Sequence, residues 1–199
     1  GNMGFSAMMV VTSQFMRGAT DESYREFGET LYRKHLARLV YPESRALLEA
    51  HLAKGHTVAI ISSATPYQIE AAARDLGVEH VACTQLEIED GLLTGAVKRP
   101  TCFGYGKVQA AQRIAEAAGA SLKDAVFYSD SDDDLELLER VGYPRPTNPN
   151  RKLTAIAEER GWPVRRFKSR GRAGLGDWAR SLAATGSLVT SFAAGLPIW

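Results

Sequence analysis

The sequence predicts an α/β fold built on a parallel sheet, with a helical portion at residues 1–41, a sheet-bearing core at 42–167 and a tail at 168–199. Three observations predict it. Residues 57–62, Thr-Val-Ala-Ile-Ile-Ser, are continuously apolar up to a polar corner, the pattern of a strand buried on both faces. Residues 125–128, Ala-Val-Phe-Tyr, run in the same way into the corner Ser129 to Asp134. Each run is followed at once by a helix signal: Thr65-Pro66 as N-cap and first helical residue after one, and the apolar spacing of Leu135, Leu137 and Leu138 after the other.

Composition bounds the class. A chain of 199 residues with 45% hydrophobic and 24% charged residues is ordinary for a globular protein with a real core. The net charge of +1 gives no argument for nucleic acid, and no nucleic-acid partner is expected. Cys83 and Cys102 form neither a disulfide framework nor a zinc motif, so a reducing, cytoplasmic setting is the simpler expectation.

Along residues 1–41 the pattern is helical. Met8, Met9, Val11, Phe15 and Met16 are expected to form one apolar cluster; Gly18 and Thr20-Asp21 break it. Tyr24, Phe27, Leu31, Tyr32, Leu36 and Leu39 then recur at helical spacing. Such residues usually make plain core, although methionines can also line a substrate pocket. Pro42 opens a helix whose inner face is expected at Ala46, Leu47, Leu48 and Leu52, and Gly55 suits a left-handed C-cap. A helix from about Tyr67 ends at Gly77, and residues 80–83 read as a short strand. Alternation about Asp90-Gly91 predicts a hairpin, a flap at 84–98 on the sheet edge. A helix follows Lys107 and ends at Gly119. Three prolines in 141–150 allow at most an edge strand, 153–159 reads as a short helix, and 162–167 as a last strand. Residues 168–172 form a basic linker, and 175–199 are weakly polar, too interrupted for a membrane span. That segment suits a membrane surface or a downstream domain.

Three places carry candidate chemistry. At 62–66 a strand end meets a helix start, where backbone amides, including that of Ala64, and the Ser63 hydroxyl suit a phosphate; a simple capped turn is the alternative. Lys107 stands at the start of a helix, where the helix dipole disfavours a cation, so it is expected to serve an anion or to be one more surface lysine. Asp130, Asp132, Asp133 and Asp134 crowd a strand's carboxyl end, the edge at which open α/β sheets bind ligands. Carboxylates so placed repel unless a cation such as Mg²⁺ compensates, the alternative being a solvated capping loop. A hydroxyl, a fixed cation and metal-binding carboxylates in that order suit phosphoryl transfer.

These stretches resemble motifs of the haloacid dehalogenase superfamily, in its phosphoserine-phosphatase-like branch. Ile60-Ile-Ser-Ser63-Ala-Thr-Pro66 resembles the second motif, Gly106-Lys107 the third and Ser129-Asp130-Ser-Asp-Asp133-Asp134 the fourth, and the hairpin also recurs there. The resemblance spans about 42–167. It implies a three-layer Rossmann-like core with a helical cap portion, and a Mg²⁺-dependent phosphomonoester hydrolase acting on a small phosphorylated substrate through an aspartyl-phosphate. It also implies that Ser63, with Ala64, binds the phosphoryl group, that Lys107 holds it and the nucleophile's charge, that Asp130 and Asp134 make up the Mg²⁺ site, Asp130 as a ligand, and that Asp134 orients metal-bound water or Lys107. Asp133 stands where close relatives often have Asn. The first motif, Asp-x-Asp-x-Thr, which supplies the nucleophile and lies on the first core strand, is absent. The chain is therefore expected to be a piece beginning inside the cap, inactive by itself, with a sheet position that must be covered. A non-catalytic phosphate- or partner-binding module is the alternative. Residues 187–199 with the linker before them resemble the junction of bacterial fusions to a 1-acyl-glycerol-3-phosphate acyltransferase.

Overall fold

The computed structural model describes residues 5–168 and 186–189. Its centre is a five-stranded sheet in the order β2-β1-β7-β5-β6, formed by β1 (Ala59–Ser62), β2 (His80–Ala82), β5 (Val126–Ser129), β6 (Tyr143–Pro146) and β7 (Gly186–Val189). β1 is parallel to β2, and β5 is parallel to β6. The side chains of β1 show why its sequence is apolar throughout. Ile60 packs on one face with Leu48, Ile69 and Leu76, while Ala59 and Ile61 pack on the other with Val108, Phe127 and Leu153. Helices therefore cover both faces: α3 (Pro42–Ala53) and α4 (Pro66–Asp75) on one, and α5 (Tyr105–Ala117), the single turn α6 (Leu135–Leu138) and α7 (Arg151–Glu159) on the other. This is the three-layer α/β arrangement, in which a parallel sheet is buried on both sides.

β7 occupies the middle of the sheet and runs antiparallel to both β1 and β5. The expected gap in the sheet is thus filled, by four residues of the segment 175–199 that the sequence assigned to a membrane surface or a downstream domain. The rest of the tail, from 169, lies outside the described residues. Among the described residues no helix is long and apolar enough to cross a membrane.

The helical portion comprises α1 (Phe5–Gln14) and α2 (Asp21–Leu31), continued by a π turn and a 3-10 turn to Leu39. Thr20 caps α2 by accepting from the Ser23 amide at 3.1 Å, as expected of a Thr before an acidic first turn. The apolar cluster expected on α1 is only partly realised: Met9 and Ser13 turn inward, but Val11 is 46% and Phe15 85% exposed. Apolar residues surround α1 on all sides, so periodicity gave no inner face to select. On α3 the inward residues are Ser44 and Leu48, whereas Ala46 and Leu52 face outward. Phe27 is likewise exposed on α2.

The hairpin of β3 (Leu86–Glu89) and β4 (Leu92–Val97) is a separate two-stranded sheet, not an edge of the main one. Asp90 and Gly91 both adopt positive φ, as a tight hairpin turn demands. The hairpin docks on the helical portion instead: Gly18 N donates to Leu93 O at 2.9 Å, Leu93 N to Ala19 O at 2.8 Å, and Ser13 Oγ to Gly95 O at 2.7 Å. Residues 162–167 do not form a strand; they contribute a single bridge, Thr147 with Arg165, because the edge strand β6 carries two prolines and offers few amides for pairing.

Candidate active site

The sheet brings the second and fourth motif regions to one edge. Ile60 of β1 and Tyr128 of β5 both pair with Leu188, and Ala59 and Phe127 both pair with Val189. The two strands run the same way in matched register on either side of β7. Ser62 and Asp130, two residues further along, therefore stand level at the carboxyl edge, about 10 Å apart across two strand spacings. Each continues into a polar corner whose side chains are buried: Ser63 is 2% and Asp130 6% exposed.

α5 delivers Lys107 to the same edge. Gly106 lets this happen, since a Cβ there would lie 1.9 Å from the Thr101 carbonyl oxygen. The preceding loop is tied to the β1–β2 side: Cys102 N donates to Thr84 Oγ1 at 3.1 Å, and Thr84 N donates to Ala64 O at 2.8 Å. Lys107 Nζ then donates to Asp134 Oδ1 at 2.6 Å, with side chains 4% and 1% exposed. Asp134 Oδ2 accepts from Ser129 Oγ at 2.6 Å. A cation buried this deeply needs such a partner, which explains a lysine in the first turn of a helix where the dipole is unfavourable.

Asp130 differs from Asp134. Its Oδ1 is buried and has no hydrogen-bond partner among the described residues. Burial, and then the Asp134 carboxylate nearby, push its pKa well above the usual carboxylate range. Its backbone is fixed, since Asn150 N donates to Asp130 O at 2.8 Å. The remaining acids are tied down elsewhere. Asp132 pairs with Lys152 at 2.5 Å and accepts from Asn150 Nδ2 at 2.8 Å. Asp133 is exposed and accepts from Ser131 Oγ at 3.2 Å, so it stands apart from the buried group and need not repel a phosphate. Among the described residues no set of three or more His, Cys, Asp or Glu side chains converges on a point. The two carboxylates that sequence reasoning paired as metal ligands thus divide: Asp134 has both oxygens engaged by Lys107 and Ser129, and Asp130 has one oxygen to offer.

The helix start at α4 also departs from expectation. The Ala64 amide donates to Ser62 Oγ at 3.2 Å, and the Thr65 amide to Gln68 Oε1 at 2.9 Å within a capping box. Amides expected to face a phosphate are therefore engaged within the chain, and the capped-turn alternative describes this helix start. Ser129 and Asn150 were missed by sequence reasoning. The usable signals were a hydroxyl at the end of an apolar strand and an Asn in N-cap position before α7, whose Oδ1 accepts from Leu153 N at 2.8 Å. Cys102 borders the site, but burial lifts its thiol to about 11, so it carries no thiolate at neutral pH.

Comparison with known proteins places this geometry. The profile of the haloacid dehalogenase-like hydrolases matches residues 1–139. A putative hydrolase of Mycobacterium leprae is 34% identical over 178 residues, covering 89% of this chain and 59% of that protein. Phosphoserine phosphatase SerB1 of Mycobacterium tuberculosis is 35% identical over 155 residues, covering 77% and 50%. A histidinol-phosphatase of Neisseria meningitidis is 31% identical over 151 residues, covering 74% and 68%. Among solved structures, a Bordetella pertussis protein of unknown function superposes with a TM-score of 0.74 at 27% identity, covering 83% of this chain and 75% of that one. A probable phosphoserine phosphatase of Vibrio cholerae shares the fold, with a TM-score of 0.66 at 22% identity over 83% of this chain and 48% of that one. The chain spans about half the length of the first curated relatives it matches. With its sheet, capped by helices on both faces, and its buried lysine–carboxylate edge, the chain belongs to the haloacid dehalogenase-like hydrolases, in their phosphoserine-phosphatase-like branch.

Proposed function

We propose that this chain carries the phosphate- and Mg²⁺-binding part of a phosphomonoester hydrolase. One observation carries the reading: Asp130 Oδ1 is buried with no hydrogen-bond partner among the described residues, close to the Lys107–Asp134 pair. A buried carboxylate in that position is costly unless a proton or a cation joins it. The donor set fits Mg²⁺, which is held through one or two carboxylates and completes its shell with water and phosphate oxygens. Asp130 is the protein ligand, and when bound the cation neutralises phosphoryl oxygens. Lys107, held by Asp134, carries the fixed positive charge that a phosphoryl group meets, and the Ser63 hydroxyl donates to it. Ser129 keeps the Asp134 carboxylate in one orientation. Asp134 thus serves Lys107 rather than the metal.

A non-catalytic phosphate-binding module is the second reading. It is favoured by the absence of Asp-x-Asp-x-Thr from these 199 residues, since covalent phosphoryl transfer needs a nucleophile. Melting the chain with Mg²⁺ and inorganic phosphate tests what the two readings share. Ligand at a hundredfold excess over Kd adds about 2.7 kcal/mol of stability, and Asp130→Asn removes the Mg²⁺-dependent part. No shift with either ligand counts against any retained site. Turnover of p-nitrophenyl phosphate by the same sample would exclude the module, whereas binding without hydrolysis is what both readings predict for residues that lack the nucleophile.

A further inference from the structure

Beside the proposed phosphate site lies a second feature that neither reading uses. A cavity of about 430 Å³ sits between α1, α2, the start of α4 and the hairpin. Met9, Met16, Leu31, Tyr67 and Leu86 form its walls, and among the described residues no charged side chain lines it. Its polar lining is turned to the chain itself. Ser13 Oγ donates to Gly95 O at 2.7 Å, Thr12 Oγ1 to Met8 O at 3.0 Å, and Tyr67 O–H to Asp21 Oδ1 at 2.7 Å. Gly28 forms part of the wall because α2 and α4 touch there; a Cβ on it would lie 1.9 Å from the Tyr67 carbonyl oxygen. Phe27 lines the cavity and is 61% exposed, which makes its mouth apolar as well.

The loop leaving β1 links the cavity to the site. Thr65 and Gln68, at the start of α4, line the cavity, and Thr65 is two residues beyond Ser63 in the loop leaving β1. The loop that would hold a phosphoryl group at Ser63 therefore runs directly into the lining of an apolar chamber. An amino-acid leaving group would bring an ammonium and a carboxylate against a lining that, among the described residues, carries no charged side chain, which costs several kcal/mol per unpaired group. An alkyl chain would instead gain from leaving water. Methionines suit such a ligand, since their unbranched side chains adapt to varied shapes.

We propose that this cavity is the leaving-group pocket of the phosphate site, and that the substrate class is a phosphomonoester of an apolar, chain-bearing alcohol. The proposal rests on the reading of Ser63, Lys107 and Asp130 given above. Calorimetric titration of the 199-residue chain in Mg²⁺ tests it, with inorganic phosphate, butyl phosphate, octyl phosphate and O-phospho-L-serine as probes. Each methylene transferred from water is worth up to about fourfold in affinity, so octyl phosphate should bind at least about tenfold more tightly than butyl phosphate. O-phospho-L-serine should bind no better than inorganic phosphate. Phe27→Asp, at an exposed position that tolerates change, should lower the ratio of octyl phosphate to inorganic phosphate affinity by about tenfold. A flat chain-length series, or O-phospho-L-serine binding as tightly as octyl phosphate, overturns the substrate class. A chain-length effect indifferent to both Mg²⁺ and Asp130→Asn overturns the link between cavity and site. Failure of inorganic phosphate to bind in Mg²⁺ is a different result: it defeats the phosphate-site reading itself, whatever the chain-length slope.

Discussion

Replacing Lys107 with Met keeps most of the side chain's length and removes its charge. The consequence follows from where its partner sits. Asp134 is 1% exposed at its side chain and lies 2.6 Å from Lys107 Nζ, so water cannot take over when the ammonium is gone. Breaking a buried pair by removing one partner costs about 3–5 kcal/mol, because the remaining charge is uncompensated. Ser129 Oγ still donates to Asp134 Oδ2, and a hydrogen bond to a charged group is worth about 1.5–3 kcal/mol, which places the expected loss in the lower half of that range. At about 2–4 °C per kcal/mol for a chain of this size, Lys107→Met should lower Tm by roughly 6–16 °C. Asp134→Asn added to Lys107→Met removes the stranded charge and keeps an acceptor for Ser129. The double variant should therefore recover at least about 2 kcal/mol relative to the additive expectation. Urea unfolding followed by circular dichroism, in EDTA, measures all three variants. A loss below about 1 kcal/mol for Lys107→Met, the value of an exposed pair, would refute the argument. So would strict additivity of the two substitutions.

Other outcomes follow from the same geometry. Because burial and Asp134 raise the pKa of Asp130, its contribution is fully present below the unfolded-state value near 4 and is lost as pH rises through the folded-state value. Asp130→Asn should therefore be more stable than the parent at neutral pH in EDTA, the gap closing as pH falls towards about 4; thermal melts across that range decide it, and a less stable variant at neutral pH contradicts it. Gly106→Ala forces a Cβ against the Thr101 carbonyl oxygen and displaces the turn that carries Lys107; about 1–3 kcal/mol of stability should be lost, with weaker phosphate binding by titration. Leu188→Pro removes a backbone donor from the strand between β1 and β5; hydrogen exchange should accelerate at Ile60 and Tyr128, and unchanged exchange would remove β7 from the sheet centre.

Much of the architecture was legible because local signals agreed with the final packing. The run at 57–62 became a strand with Ile60 on one face and Ile61 on the other, and Asp90-Gly91 closed a hairpin at its predicted place. The order Ser63, Lys107, Asp130 was readable because strand ends and helix starts leave polar punctuation in sequence. Other features depend on contacts that sequence does not contain. Gly186–Val189 has no strand signal of its own and is a strand by virtue of its two neighbours. The hairpin's partner was misjudged, since alternation reports a strand and not what it docks against. The division of labour between Asp130 and Asp134 is likewise invisible in a run of carboxylates. It arises because one oxygen pair meets Lys107 and Ser129 while the other carboxylate is left facing the buried edge.

The proposed site requires Ser63, Lys107 and Asp130 to form a single pocket for a phosphate and a divalent cation. Mn²⁺ in place of Mg²⁺ makes that directly measurable, through the paramagnetic relaxation of the phosphorus resonance of inorganic phosphate bound to the chain. Strong broadening that Asp130→Asn abolishes is the predicted result. A phosphate resonance that Mn²⁺ leaves sharp, while phosphate is bound, would place anion and cation apart and contradict it.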